Sequence, residues 1–168
     1  MSGGHALGRL VFGSREGISG TVYGTIVVMG AVVAGSGSGK SVWQVAAVAA
    51  TTSSVFWLAH LYADGLEHSI HSGRRLERRT LTAIAHQEAP IALAAIGPTG
   101  ALVLGGMGAM SEATAVWVAL GLGLVTLAIQ GVRYARIEHI GPLATLAAVS
   151  VNVALGLMIV ALKVAVSH

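Results

Sequence analysis

Five long apolar stretches, joined by links that put nearly all of the arginine on one side, constrain this 168-residue chain more than any other feature. A helix of about 17–25 apolar residues crosses a hydrocarbon core of roughly 30 Å, where each backbone polar group has to be satisfied within the segment. Runs of that kind are expected at residues 18–34, 42–62, 90–110, 113–132 and 143–164. An odd number of crossings leaves the two termini on opposite sides. Arg9 and Arg15 precede the first run, Arg74, Arg75, Arg78 and Arg79 follow the second, and Arg133 and Arg136 follow the fourth, all on one side; Lys40 and Lys163 fall on the other. Eight cations against two, counted over short links, predict by the positive-inside rule a cytoplasmic amino terminus and an external carboxyl terminus. The expected fold is all-α: a polytopic helical membrane protein with five transmembrane helices, one membrane domain over residues 1–168, multi-pass in a bacterial inner (plasma) membrane.

Composition agrees, because 54% of the residues are hydrophobic and only 10% charged, where a soluble domain carries about 25% charged residues. The basic balance, a pI near 9.8, belongs to topology: there is no basic domain outside the bilayer, so nucleic acid is not an expected partner. Without cysteine there are no disulfides, thiolate ligands or thiol nucleophiles. The first apolar run reads as an uncleaved helix, since Glu16 lies in its leader and the run is already long enough to span.

The longest link, 63–89, is expected as a cytoplasmic helical hairpin: Leu66 with Ile70, and Leu76 with Thr80 and Leu81, keep helical spacing among charged neighbours, and Gly73 is a natural break. The glycine-serine stretch 35–41 reads as a flexible turn, Ser111-Glu112 as a minimal external turn, and 137–142 as a hairpin closing the last two spans. Gly97-Pro98 in the third span predicts a kink. Gly20-x-x-x-Gly24 and the cluster Gly105, Gly106, Gly108 let helix backbones approach; for both, packing within the chain is the leading reading and dimerisation the alternative.

The loose nucleotide motif Ala34-Gly-Ser-Gly-Ser-Gly-Lys40-Ser41, in which Gly-Lys-Ser follows four free residues, is rejected. A phosphate cradle needs a preceding strand, a helix whose amino terminus faces the phosphate, and acidic metal ligands, none of which a turn between two membrane helices supplies. No nucleotide partner is expected.

The chemistry concentrates in His60-Leu-Tyr-Ala-Asp64-Gly-Leu-Glu67-His68-Ser-Ile-His71. Counted from His60, the polar residues fall at +4, +7, +8 and +11, spacing that puts them on one helical face. Alternating carboxylates and imidazoles suit divalent iron, manganese or zinc, and also proton transfer near neutral pH. The competing reading is a solvated helix face paired with Arg74 and Arg75. Glu16 and Glu88 stand at the same level; each is also a good helix amino-terminal residue, an explanation that suffices for Glu88. Asn152 reads as a packing hydrogen bond, and Lys163 as a snorkelling cation.

The sequence Phe12-Gly-Ser-Arg15-Glu16-Gly17 running into a small-residue helix, the charged Arg74-Arg75-Leu76-Glu77-Arg78-Arg79 after the second span, and the hairpin at 134–142 together resemble the vacuolar iron transporter family and its bacterial relatives. In layout the likeness covers most of the chain. That family carries a methionine and a glutamate in its second membrane helix, where this chain reads Val55-Phe-Trp-Leu-Ala-His60-Leu-Tyr62. The resemblance implies five helices, a cytoplasmic metal-gathering hairpin, Glu16 at the ion path, and a homodimer with that path at its interface. The general look of small bacterial integral membrane proteins is present as well.

The leading expectation is therefore a non-enzymatic membrane protein that transports or senses a divalent metal cation with proton coupling. Glu16, His60 and Asp64 form the mouth of its path, and His60, Asp64, Glu67, His68 and His71 gather the metal. The alternative is a non-catalytic scaffold or accessory subunit. A membrane metal hydrolase or haem protein is the weakest reading, since hydrolysis wants three ligands, an open position and a shielded base. The absence of native cysteine makes topology directly measurable. In intact cells an impermeant maleimide is expected to label Ser38→Cys, and to label Ser72→Cys only after permeabilisation.

Overall fold

The computed structural model describes residues 15–37, 39–73 and 77–166, the side chains of 15, 16 and 166 excepted. Seven helices run in order: α1 (Arg15–Ser36), α2 (Val42–Ser72), α3 (Arg78–Gln87), α4 (Ala89–Leu93), α5 (Ile96–Gly106), α6 (Glu112–Ile137) and α7 (Pro142–Val166), with no strand among the described residues. Five stretches are long and apolar enough to cross a membrane: Gly17–Ser36, Val42–Ser72, Ala89–Gly106, Glu112–Ile137 and Pro142–Ala165. The chain is an integral, multi-pass helical membrane protein.

Local chemistry sets the ends of these helices. Ser111 caps α6, its Oγ accepting the Thr114 N–H at 3.1 Å, and Gln44 Oε1 accepts the Ser41 N–H at 3.0 Å at the start of α2. With 31 residues, α2 is about 46 Å long at 1.5 Å per residue, well beyond the hydrocarbon thickness. It stops at Gly73, whose φ of 61° is the left-handed cap expected of that residue. Arg74, Arg75 and Leu76 lie outside the described residues. Beyond them α3 folds back on α2, with Ile84 buried and the Trp57 indole Nε1 donating to the Ala85 carbonyl at 3.3 Å.

The third span is interrupted one turn before Pro98. Proline has no N–H to offer the Ala94 carbonyl, and its ring crowds that carbonyl. The helix yields there: the Ala95 N–H bonds back to Ala92 at 3.1 Å in a tightened turn, and the Thr99 N–H resumes regular bonding to Ala95 at 2.9 Å. This divides the span into α4 and α5. It also ends earlier than the apolar pattern suggests, at Gly106, with Gly108 at φ 82° turning the chain toward α6.

Helix α1 is the axis of the bundle, packed by α2, α4, α6 and α7, with Val28, Met29 and Val32 fully buried. The share of its apolar window that is buried is 56%, against 6% for α7, which lies on the outside against α6 and α1. Lipid supplies no hydrophobic drive between helices, so close backbone approach does the work. A Cβ on Gly24 would collide with the backbone oxygen of Ile91, and one on Gly20 would touch the Pro90 side chain at 3.4 Å. The Gly20/Gly24 face is thus covered by α4 of the same chain. Gly105 likewise seats Ala115, and Gly131 seats the backbone of Val149.

Gly24→Ala is expected to destabilise the bundle in detergent by roughly 1–3 kcal/mol, the range for overpacking. Gly30→Ala, which meets nothing within 4 Å, is expected to leave the melting temperature unchanged or raise it.

Candidate functional site: a groove at the arginine-rich end

The arginine-bearing helix ends converge on an open, largely apolar groove of about 750 Å3 between α1, α2, α4, α6 and α7. Its polar lining is Ser19 and Tyr23 from α1, His60 from α2, Glu88 at the α3–α4 junction, Tyr134 from α6 and Asn152 from α7. Six groups from five parts of the chain meet here because the helices alternate in direction, bringing the first turns of α1 and α7 beside the last turns of α6.

His60 is the best defined of them. Its Nδ1 stands 3.0 Å from the Phe56 carbonyl one turn back. With Nδ1–H donating to that oxygen, Nε2 is left for chemistry in the groove, as an acceptor in the neutral ring and a donor in the charged one. Ring contacts hold the imidazole in place: the Tyr23 centroid is 5.1 Å from that of His60 and 5.7 Å from that of Phe56. Tyr23 therefore joins α1 to α2 at the level where the groove begins.

Glu88 supplies the carboxylate. It is the junction residue between α3 and α4, and its backbone N–H bonds to the Ile84 carbonyl at 2.9 Å. Its side chain makes no capping bond to α4. Asn152, at the far side of the groove, donates from Nδ2 to the Leu127 carbonyl at 3.2 Å, the packing bond between α7 and α6 that its isolated position predicts. Beside the groove, Arg133 Nη1 donates to the buried Gln130 Oε1 at 2.8 Å.

The α2 stripe continues away from this groove. Asp64 is half-buried one turn beyond His60 but does not line it, while Glu67, His68 and His71 are exposed, with His71 Nδ1 3.0 Å from the Glu67 carbonyl. Among the described residues no three His, Asp or Glu side chains are gathered as a set that could hold a metal ion. Glu16 begins α1 at the same end, and its side chain lies outside the described residues. His60 is thus the only member of the sequence-predicted stripe among the groove residues; Glu88, Tyr23 and Tyr134 join it from elsewhere.

No protein-family model, no curated protein and no solved structure matches the chain.

If the groove holds water, as its polar groups require, Ser19→Cys is expected to react with a hydrophilic thiol reagent applied from the arginine-rich side. Ser53→Cys, on a side chain only 2% exposed, is expected to stay unlabelled.

Proposed function

We propose that this protein transports or senses a divalent metal cation, with proton coupling, through the groove at its arginine-rich end. The observation that carries the reading is the meeting of an oriented imidazole, His60, and a carboxylate that does not cap its helix, Glu88, in one cavity that enters the membrane-spanning region. Ionisable groups near the membrane-spanning region are expensive unless hydrated or paired, which makes them functional suspects. Tyr23, Tyr134 and Asn152 add neutral oxygens, the ligand type that suits harder cations such as manganese, and the imidazole suits iron or zinc. Two strong ligands are too few for a closed structural site, and a transported ion needs a site it can leave.

In this reading the arginine-rich end faces the cytoplasm of a bacterial cell and the carboxyl terminus faces out. The half-buried Asp64 and the exposed Glu67, His68 and His71 collect cations on the α2 projection, and Glu16 and His60 act with Glu88 at the mouth. The likeness to vacuolar iron transporters supports the choice of a divalent cation and of a homodimer.

A second reading, a non-catalytic scaffold or accessory subunit, is favoured by α7: Leu143, Leu146, Val151, Met158 and Leu162 are all more than half exposed, a face on which another membrane helix has room to pack.

Proteoliposome uptake of iron, manganese and zinc, with and without a pH gradient, separates the two. The transport reading predicts flux that falls at least about tenfold in His60→Ala and in Glu88→Gln, a loss of 1.4 kcal/mol or more in transition-state terms. It is reduced less by Asp64→Ala, and is unaffected by His86→Ala on the outer face of α3. Absence of flux from folded protein, with another polypeptide co-purifying, supports the scaffold.

A further inference from the structure

The end opposite the arginines carries a second cavity, of about 360 Å3, independent of the groove and of the function proposed for it. Lys40 of the α1–α2 link, Glu112 at the start of α6 and Lys163 in the last turn of α7 all line it. These are both lysines of the chain, brought from positions 123 residues apart to one cavity that Glu112 also lines. Lys40 and Glu112 are exposed, Lys163 is half-buried, and the floor is apolar, formed by Val42, Val45 and Val116.

The depth of the site is marked by two indoles. Trp117 lines the cavity at 49% exposure, and Trp43, in the first turn of α2, is 50% exposed at the same end of the bundle. Half-exposed tryptophans at helix ends sit at the headgroup level of a bilayer. A snorkelling lysine reaches the same level, which is where Lys163 ends.

We infer that this cavity binds the headgroup of a phosphatidylethanolamine-type lipid. The phosphodiester anion sits between the Lys40 and Lys163 ammonium groups, and the primary ammonium of the headgroup donates to the Glu112 carboxylate, each contact being a charge-assisted hydrogen bond. Two ammonium groups and one carboxylate are the charge pattern complementary to that zwitterion. An anionic glycerol headgroup keeps the phosphate contact with the two lysines but brings no ammonium to donate to Glu112. A choline headgroup has the positive charge but no N–H to donate. The apolar floor, and the exposed Leu162 and Val164 flanking Lys163, favour a ligand with acyl chains over a soluble phosphate ester.

The test is thermal unfolding of the full-length protein in a neutral maltoside detergent, titrated with dihexanoyl phosphatidylethanolamine, phosphatidylglycerol or phosphatidylcholine, or with soluble O-phosphoethanolamine. The ethanolamine lipid is expected to raise the melting temperature by about 5 °C or more at saturation, and the other three by less than about half of that. Replacing both lysines by alanine removes the shift, whereas Lys40→Arg, which preserves the charge, retains it. Glu112→Gln retains stabilisation by lipid phosphate but erases the preference for ethanolamine over glycerol. Equal stabilisation of the wild type by the ethanolamine and glycerol lipids, or a shift that survives loss of both lysines, overturns the assignment. A soluble ester as effective as the lipid overturns the choice of a lipid.

Discussion

The contact between the backbone of α1 at Gly24 and that of α4 at Ile91 is the constraint on which the rest of the structure depends. In hydrocarbon, apolar side chains gain nothing by leaving lipid for protein, so a bundle is held by the density of packing that small residues permit. Here that density is greatest along α1, whose Gly20 and Gly24 admit α4 and whose Met29 fills the place a side chain on Gly123 of α6 would take. Because α4 is short and broken from α5 at Ala94 and Ala95, it is free to lean onto α1 while α5 keeps its place against α2 and α6. The break prepared by Pro98 and the close approach at Gly24 thus act as one device. Together they position Glu88, at the head of α4, over the same groove as His60.

Much of this architecture is legible in the chain itself. Five apolar runs announce five spans, Gly73 stops the long second helix, and Pro98 gives the interruption of the third span; the turn expected at Ser111-Glu112 lies instead over 107–111, with Glu112 already the first residue of α6. Periodicity and turn chemistry are local, and local signals survive in a sequence. What the small-residue motifs pack against is not local. Gly20-x-x-x-Gly24 is compatible with a partner subunit or with the same chain, and only the path of α4 selects the latter. Helix boundaries also move: the third span loses its last residues to the turn at Gly108, a left-handed glycine that the unbroken apolar pattern around it masks.

The site is less legible for the same reason. One-face spacing on α2 picks out His60 together with Asp64, Glu67, His68 and His71, yet spacing on one helix says nothing of which turn meets the neighbouring helices. Only His60, lowest on the stripe, reaches the groove. Glu88 is hidden by a good alternative explanation, as a residue at a helix start, which its side chain does not fulfil by a capping bond. Tyr23 and Tyr134 are single aromatics near helix ends, indistinguishable in sequence from interfacial anchors. At the opposite end the lysines show the converse: sparse charges that read singly as turn and snorkel residues gain meaning from their convergence.

The account turns on whether His60 and Glu88 share an ion. Crystals of the protein soaked in manganese, measured on both sides of the manganese absorption edge so that a peak present only above the edge energy is manganese and not methionine sulfur, address this directly. The account predicts an anomalous peak in the groove, within coordination distance of the His60 Nε2 and a Glu88 carboxylate oxygen, that disappears in Glu88→Gln. A peak confined to the exposed Glu67, His68 and His71 stripe, or none at saturating manganese, contradicts it.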